Sequence, residues 1–227
     1  MNVAIVVAAG HGSRMGGELA KQFLELRGVP ILIHAIRAFE ESETIQEIIA
    51  VVPATHSANF VALASEYGLR KLSKVIPGGI TRSESVFNGL QAVRGATAEI
   101  VAVHDGVRPF VTADEINRTV AAAQQHEAAI LVAPVTDTIK QIEDGRVVGS
   151  LNRASLRRAL TPQCFRYSLL RRAYESVDVH DPDLTDESML VERLGVKIMT
   201  VAGSPKNIKI TTPHDLIIAG ALLNSGE

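Results

Sequence analysis

The stretch Val3-Ala4-Ile5-Val6-Val7-Ala8-Ala9-Gly10-His11-Gly12-Ser13-Arg14-Met15-Gly16-Gly17 joins an unbroken apolar run to a loop of small residues that carries a cation. Such a short β-branched run, with no polar alternation, fits a strand buried on both faces. Similar runs recur at 48–52, 100–103 and 129–132, each separated from the next by helix-like sequence. That alternation predicts an α/β fold, a mostly parallel twisted sheet with helices on both faces, like a Rossmann-type nucleotide-binding fold. Helix starts fall where this reading needs them. Thr112 with Glu115 forms a capping-box pattern, and Thr212 followed by Pro213 forms an N-cap and first-turn pair, opening a last helix that runs to about residue 223.

One segment departs from the alternation. Residues 138–142 and 147–151 look extended and are separated by Glu143-Asp144-Gly145-Arg146, whose Asp-Gly pair is a strong two-residue hairpin signal. The expectation is a β-arm within residues 136–155. A lone two-stranded ribbon is marginal in water, so the arm needs a surface to pack on, and a second copy of the chain is the economical one. A homodimer through the arm is therefore expected. With no Pro/Gly/Ser-rich linker and no repeat, residues 1–227 read as one domain.

Composition excludes several classes. A hydrophobic content of 46% supports a sizeable core, while a net charge of −2 and an isoelectric point near 6.4 leave no basic field for a nucleic-acid backbone. The single cysteine, Cys164, rules out an intrachain disulfide and a cysteine-rich zinc site. The first apolar run is far shorter than the roughly 20 residues that span a bilayer, so no membrane partner is expected. The expected location is the cytoplasm, or the plastid stroma if the source is a plant and a transit peptide has been removed.

The loop after the first strand has the makings of a polyphosphate cradle. Glycines let backbone N–H groups approach anionic oxygens, and Arg14 and Lys21 add fixed positive charge. A tight turn without a ligand is the plainer reading. Two rival motifs fail on the letters. No Gly-Lys-Ser/Thr follows at the spacing of a P-loop. A dinucleotide turn would need a third glycine where Met15 stands, and an acidic residue where the second strand ends in Val51-Val52-Pro53.

Ala8-Ala9-Gly10-x-Gly12-x-Arg14-Met15 with Lys21-Gln22-Phe23 resembles the signature of nucleotidyltransferases acting on sugar phosphates and related alcohols. Four further stretches, Gly78-Gly79-x-x-Arg82-x-x-Ser85, His104-Asp105-Gly106-Val107-Arg108-Pro109, Leu160-Thr161-Pro162-Gln163 and Asn207-Ile208-Lys209-Ile210-Thr211, are joined by Thr185-Asp186-Glu187. Together they are similar to the 2-C-methyl-D-erythritol 4-phosphate cytidylyltransferase family of the non-mevalonate isoprenoid pathway, and the matches run in order along nearly the whole chain.

The resemblance implies attack by a substrate phosphate on the α-phosphorus of CTP, with pyrophosphate leaving and no covalent enzyme intermediate. It implies catalytic roles for Arg14, Lys21, Arg153 and Lys209. Arg14 and Lys21 would meet the charge that develops on the phosphates, and Arg153 and Lys209 would position the attacking phosphate. Nucleotide contacts fall to Ala8, Ala9, Gly10, Gly12, Gly79, Ser85 and Asp105, with Gly79 and Ser85 reading the base. Arg108, Thr138 and Thr185 would bind 2-C-methyl-D-erythritol 4-phosphate, with Thr138 and Arg153 reaching into a partner's site. A divalent cation, Mg2+, would offset the triphosphate charge, held mostly by phosphate and water and possible for Asp105 to contact.

Each residue has a plainer reading. Asp105 fits a turn, Ser85 a polar helix start, and Arg153 with Arg157 and Arg158 a solvated basic face. His11 is left unassigned. His34, His56, His126, His180 and His214 lack metal-ligand spacing, and His104 reads as a packed structural residue. Ile80 stands where many members of that family carry a polar or acidic residue in the glycine loop. Ribitol-5-phosphate cytidylyl transfer is the nearest alternative, disfavoured by 134–140 and 159–163. A non-catalytic nucleotide-binding module is a second, against which Arg14, Lys21 and Lys209 are all present.

Overall fold

The computed structural model describes residues 1–10 and 20–224. The first apolar run forms β1 (Val3–Val7), buried along its length. Val3, Ile5 and Val7 enter one core layer and Ala4 and Val6 the opposite one, the two-residue period of a strand covered on both sides. A small antiparallel pair follows, β2 (Glu25–Leu26) with β3 (Val29–Pro30). The chain continues through α1 (Ile31–Glu41), β4 (Glu47–Val52), α2 (Ser57–Glu66), β5 (Leu72–Pro77), α3 (Arg82–Ala92) and β6 (Ile100–Asp105). After α4 (Ala113–His126) and β7 (Ala128–Pro134) come β8 (Lys140–Glu143), β9 (Arg146–Ser150) and β10 (Arg157–Arg166). The last elements are α5 (Tyr167–Glu175), α6 (Glu187–Arg193), β11 (Met199–Ala202) and α7 (Pro213–Asn224).

Seven strands form one sheet in the order β11-β7-β10-β6-β1-β4-β5. All run parallel except β10, which is antiparallel to both β6 and β7. On one face, Ile33, Ile36 and Phe39 of α1, Phe60 of α2 and Ile116 and Val120 of α4 cover the strands; α3, α5 and α6 cover the other through Val86, Leu90, Leu169, Leu170, Leu190 and Val191. The predicted cap of α4 is present as a reciprocal Thr112–Glu115 capping box, which satisfies two of the helix's otherwise open N–H groups. At α7, Thr212 Oγ1 accepts from Asp215 N at 3.3 Å, as the Thr-Pro pair implied.

The β8–β9 ribbon stands apart from the main sheet as its own two-stranded pair. Its strands lie within two residues of the predicted ends. Asp144 and Gly145 both have positive φ, 49° and 74°, the backbone of a type I′ turn, whose twist matches the two strands. Ile142 pairs with Val147 across the ribbon, and both are more than half exposed.

β10 carries an irregularity where its pairing with β7 jumps between Ala159 and Gln163. Leu160-Thr161-Pro162 fill that gap. Proline donates no ladder hydrogen bond, so a bulge is its natural place inside a sheet. The bulge brings Thr161 to the end of β6, where its Oγ1 accepts from Asp105 N at 3.2 Å.

Candidate active site

The register of the parallel strands aligns the end of β1 with the ends of its neighbours, Val7 opposite Val51 of β4 and Val7 opposite Asp105 of β6. The chain leaves β1 toward β4 on one side and returns to β6 on the other. Such a reversal of strand order leaves a crevice at the carboxyl ends, where ligands of open α/β sheets sit. A cavity of about 250 Å³ occupies it, walled by Ala8, Ala9, Gly10, Lys21, Gly79, Ser85, Asp105 and Lys209 among others. Eight of the residues singled out from the sequence thus meet in one place. Gly12, Arg14 and His11 lie outside the described residues.

The glycine turn after β5 forms the cavity's far wall and is shaped by close approach. A Cβ on Gly78 would come within 2.1 Å of the Ala9 Cβ, and one on Gly79 within 2.2 Å of the Glu84 side chain. Either contact forces something to move. The turn is pinned from α3: Gly79 N donates to Ser85 Oγ at 3.0 Å, Ile80 N to Glu84 Oε2 at 2.5 Å, and Glu84 N to Thr81 Oγ1 at 3.0 Å. Ser85 is therefore not a surface polar residue; it is buried, and its hydroxyl donates to Thr81 O at 2.9 Å. Ile80 is 89% exposed beside this turn.

Asp105, the last residue of β6, is the one carboxylate on the cavity wall among the described residues. Three cations meet it: Arg82 Nε at 2.9 Å, Lys209 Nζ at 2.9 Å and Arg108 Nε at 3.3 Å. Burial alone would raise its pKa, but Arg82, then Lys209 and Arg108, outweigh burial and hold the carboxyl far below the usual carboxylate range. Arg82 also donates to buried Glu187 at 2.8 Å, and Tyr174 donates its hydroxyl to the same Glu187 oxygen at 3.1 Å. Burial opposes charge on Arg82, yet Glu187 and Asp105 raise its pKa well above the ordinary value. Three cations against two carboxylates leave the cluster with one net positive charge, which favours an anionic ligand.

His104 precedes this acid and is fully buried. Its Nε2 meets the Arg108 carbonyl at 3.1 Å, which can only accept, so Nε2 carries the proton and Nδ1 accepts from Thr161 Oγ1 at 2.9 Å. Burial lowers its pKa to about 4, and it stays neutral at ordinary pH. Arg108 is tied further by its NH1 donating to Asn207 O at 2.9 Å.

A second cavity of about 150 Å³ adjoins the first and shares Arg82, Asp105 and Lys209 with it. Arg108 and Thr185 line it as well, so two of the residues assigned to the second substrate sit together with Lys209. Thr138 and Arg153 do not. Both are exposed at the base of the β8–β9 ribbon, Arg153 donating to Thr136 O at 2.9 Å, and neither lines either cavity of its own chain.

A family model described as 2-C-methyl-D-erythritol 4-phosphate cytidylyltransferase matches residues 2–225. The chain belongs to the 2-C-methyl-D-erythritol 4-phosphate cytidylyltransferase family. It is similar to the enzyme of that name from Geobacter metallireducens, 40% identical over 223 residues that cover 97% of this chain and 96% of the relative. The corresponding enzyme from Pelotomaculum thermopropionicum is 42% identical over 226 residues, 99% of this chain and 94% of the relative. Among solved structures, a 4-diphosphocytidyl-2C-methyl-D-erythritol synthase from Anaerococcus prevotii superposes with a TM-score of 0.86 at 32% identity, covering 98% of this chain and 96% of that one. The cytidylyltransferase from Thermus thermophilus gives 0.78 at 31% identity, covering 99% and 100%. Like its relatives, the chain is a nucleotidyltransferase built on a mostly parallel sheet. Among the described residues no helix is long and apolar enough to cross a membrane.

Sequence reasoning named Arg82 and Glu187 within motifs but gave neither a role, and it did not single out Tyr174. Its place between Gly79 and Ser85, both singled out for the nucleotide, was a usable signal for Arg82. Nothing local marked Tyr174 as the partner of Glu187, because the two come from different helices, α5 and α6.

Proposed function

We propose that the chain transfers CMP from CTP to 2-C-methyl-D-erythritol 4-phosphate, giving 4-diphosphocytidyl-2-C-methyl-D-erythritol and pyrophosphate. The observation that carries this reading is the net-positive cluster centred on Asp105, shared by two adjoining cavities at the switch point of the sheet. One cavity suits a nucleotide and the other a smaller phosphate. An oxygen of the smaller phosphate attacks the α-phosphorus as the bond to the β-phosphate oxygen breaks, and pyrophosphate carries the electron pair away. No protein nucleophile is needed; alignment and charge stabilisation carry the step.

Arg14 and Lys21 stabilise charge on the α- and β-phosphates, and the backbone of Ala8, Ala9, Gly10 and Gly12 wraps the nucleotide. Lys209 lies on both cavities and is placed to hold the attacking phosphate, with Arg108 and Thr185 beside it. Base choice follows from hydroxyl bookkeeping at Ser85. Its only proton is committed to Thr81 O and one lone pair to Gly79 N, so what remains can only accept. An exocyclic amine of cytosine satisfies it; the corresponding carbonyl of uracil does not.

The donor set fits a magnesium ion that arrives with the triphosphate. No group of three His, Cys, Asp or Glu residues forms a metal cage among the described residues, and a single carboxylate beside phosphate oxygens and water is the usual company of Mg2+. Asp105 would hold it, and the ion would neutralise charge that repels the attacking phosphate. The chain works as one domain over 1–227, in the cytoplasm. Its arm, within 136–155, joins a second copy so that Thr138 and Arg153 enter the partner's site. Exposure of both residues away from their own cavities supports that reading.

Pyrophosphate release from CTP, followed with 2-C-methyl-D-erythritol 4-phosphate and with ribitol 5-phosphate, tests the proposal. Turnover with the first at least tenfold above the second is expected. Faster turnover with ribitol 5-phosphate would move the chain to the other branch, and CTP binding without release would make it a nucleotide-binding module.

A further inference from the structure

Gln22 is 1% exposed, yet it forms part of the wall of the larger cavity, next to Lys21. Its Nε2 has no hydrogen-bond partner among the described residues. Buried side-chain amides are nearly always paired, and one left open beside a polar cavity calls for an account. Exchanging the amide oxygen and nitrogen leaves an orphan in either orientation, since no bond to the other amide atom exists among the described residues to fix them.

The position is held firmly. Gln22 is the buried member of a 3-10 turn, Lys21–Phe23, and the Phe23 ring stacks on His56 at 4.9 Å and leans on Phe60 at 6.2 Å. An unpaired amide on an anchored turn is preorganised, because the turn that carries it loses little freedom when a ligand arrives. The cavity that Gln22 helps to wall holds a neighbouring lysine and borders the net-positive cluster, so the ligand it favours is anionic.

We infer that Gln22 is a nucleotide-binding residue whose side-chain NH2 donates to an anionic oxygen of the triphosphate, completing its own hydrogen bonding only when CTP is bound. The inference rests on the cytidylyl-transfer reading of the cavity. It adds a neutral donor to the cations already assigned there, one that fixes direction where a lysine supplies only charge.

The role separates from a structural one by sign. An amide that serves the fold lowers stability when it is removed; one that is open in the free protein does not. Gln22→Met keeps length and volume and removes the polar group. The free variant should melt at or above the wild-type temperature, while calorimetric titration with CTP and magnesium chloride shows the dissociation constant raised roughly tenfold, about 1.4 kcal/mol. Gln22→Glu, which points an anionic oxygen at the phosphates, should lose more affinity than Gln22→Met. It decides the matter if the methionine variant does not fold. An unchanged CTP affinity in whichever variant folds overturns the inference, as does a lower melting temperature with affinity intact. Failure of the wild-type protein to bind CTP would instead remove the reading of the cavity itself.

Discussion

Asp105→Asn removes one charge and almost no volume from the centre of the cation cluster. The carboxylate is 8% exposed and faces Arg82, Lys209 and Arg108 within 3.3 Å. Removing one partner of a buried ion pair costs about 3–5 kcal/mol, because the other charge is left uncompensated. Two features put this site at the lower end. Arg82 keeps Glu187 as a partner, and Lys209 is 37% exposed, so water takes over part of its solvation. A loss of about 3 kcal/mol follows, which for a chain of this size lowers the melting temperature by about 6–12 °C. The pH dependence has a definite sign. The folded Asp105 pKa lies far below the unfolded value of about 3.9, so its contribution is fully present above that value and is lost as pH falls through the folded pKa. Urea unfolding of wild type and variant should therefore differ by a constant amount between pH 6 and 8, and the difference should begin to shrink below about pH 4. A variant as stable as wild type at pH 7, or a difference that persists undiminished at pH 3, would refute the claim that this carboxylate holds the cluster together.

His104 adds to the same acid edge of the stability profile at higher pH: with a folded pKa of about 4 against about 6.5 unfolded, the unfolded chain binds the extra proton, so stability should fall as pH drops through that window. NMR of the ring should show no titration between pH 5.5 and 9. Ser85→Ala frees Gly79 N and removes the locked acceptor, and the preference for CTP over UTP in kcat/KM should drop by roughly tenfold or more. Unaltered discrimination would place base reading elsewhere. The proposed arm-mediated dimer predicts that wild type sediments as a dimer, and that replacing the cross-strand pair Ile142 and Val147 by serine shifts it to monomer and lowers activity together.

Much of the scaffold was legible from local pattern. β1 shows why: both of its faces are buried, so the apolar run is unbroken. The arm was equally readable, because Asp144-Gly145 encodes a backbone conformation that few other pairs adopt. Thr112 and Glu115 announce their own reciprocal bonds three residues apart. Each of these is a short-range relation, fixed by sterics or by a hydrogen bond within one turn.

What tertiary structure alone decided is the pairing of distant segments. The antiparallel insertion of β10 between β6 and β7 left no trace in periodicity, since a buried strand has the same apolar pattern whichever way it runs. Asp105 was visible as a strand-end acid, but its three cations come from residues 82, 108 and 209, and charged side chains are ordinarily solvated, so their burial around one carboxylate could not be read from composition. The open amide of Gln22 belongs to the same class. A side chain's lack of a partner is a property of everything packed around it, and only the assembled fold contains that information.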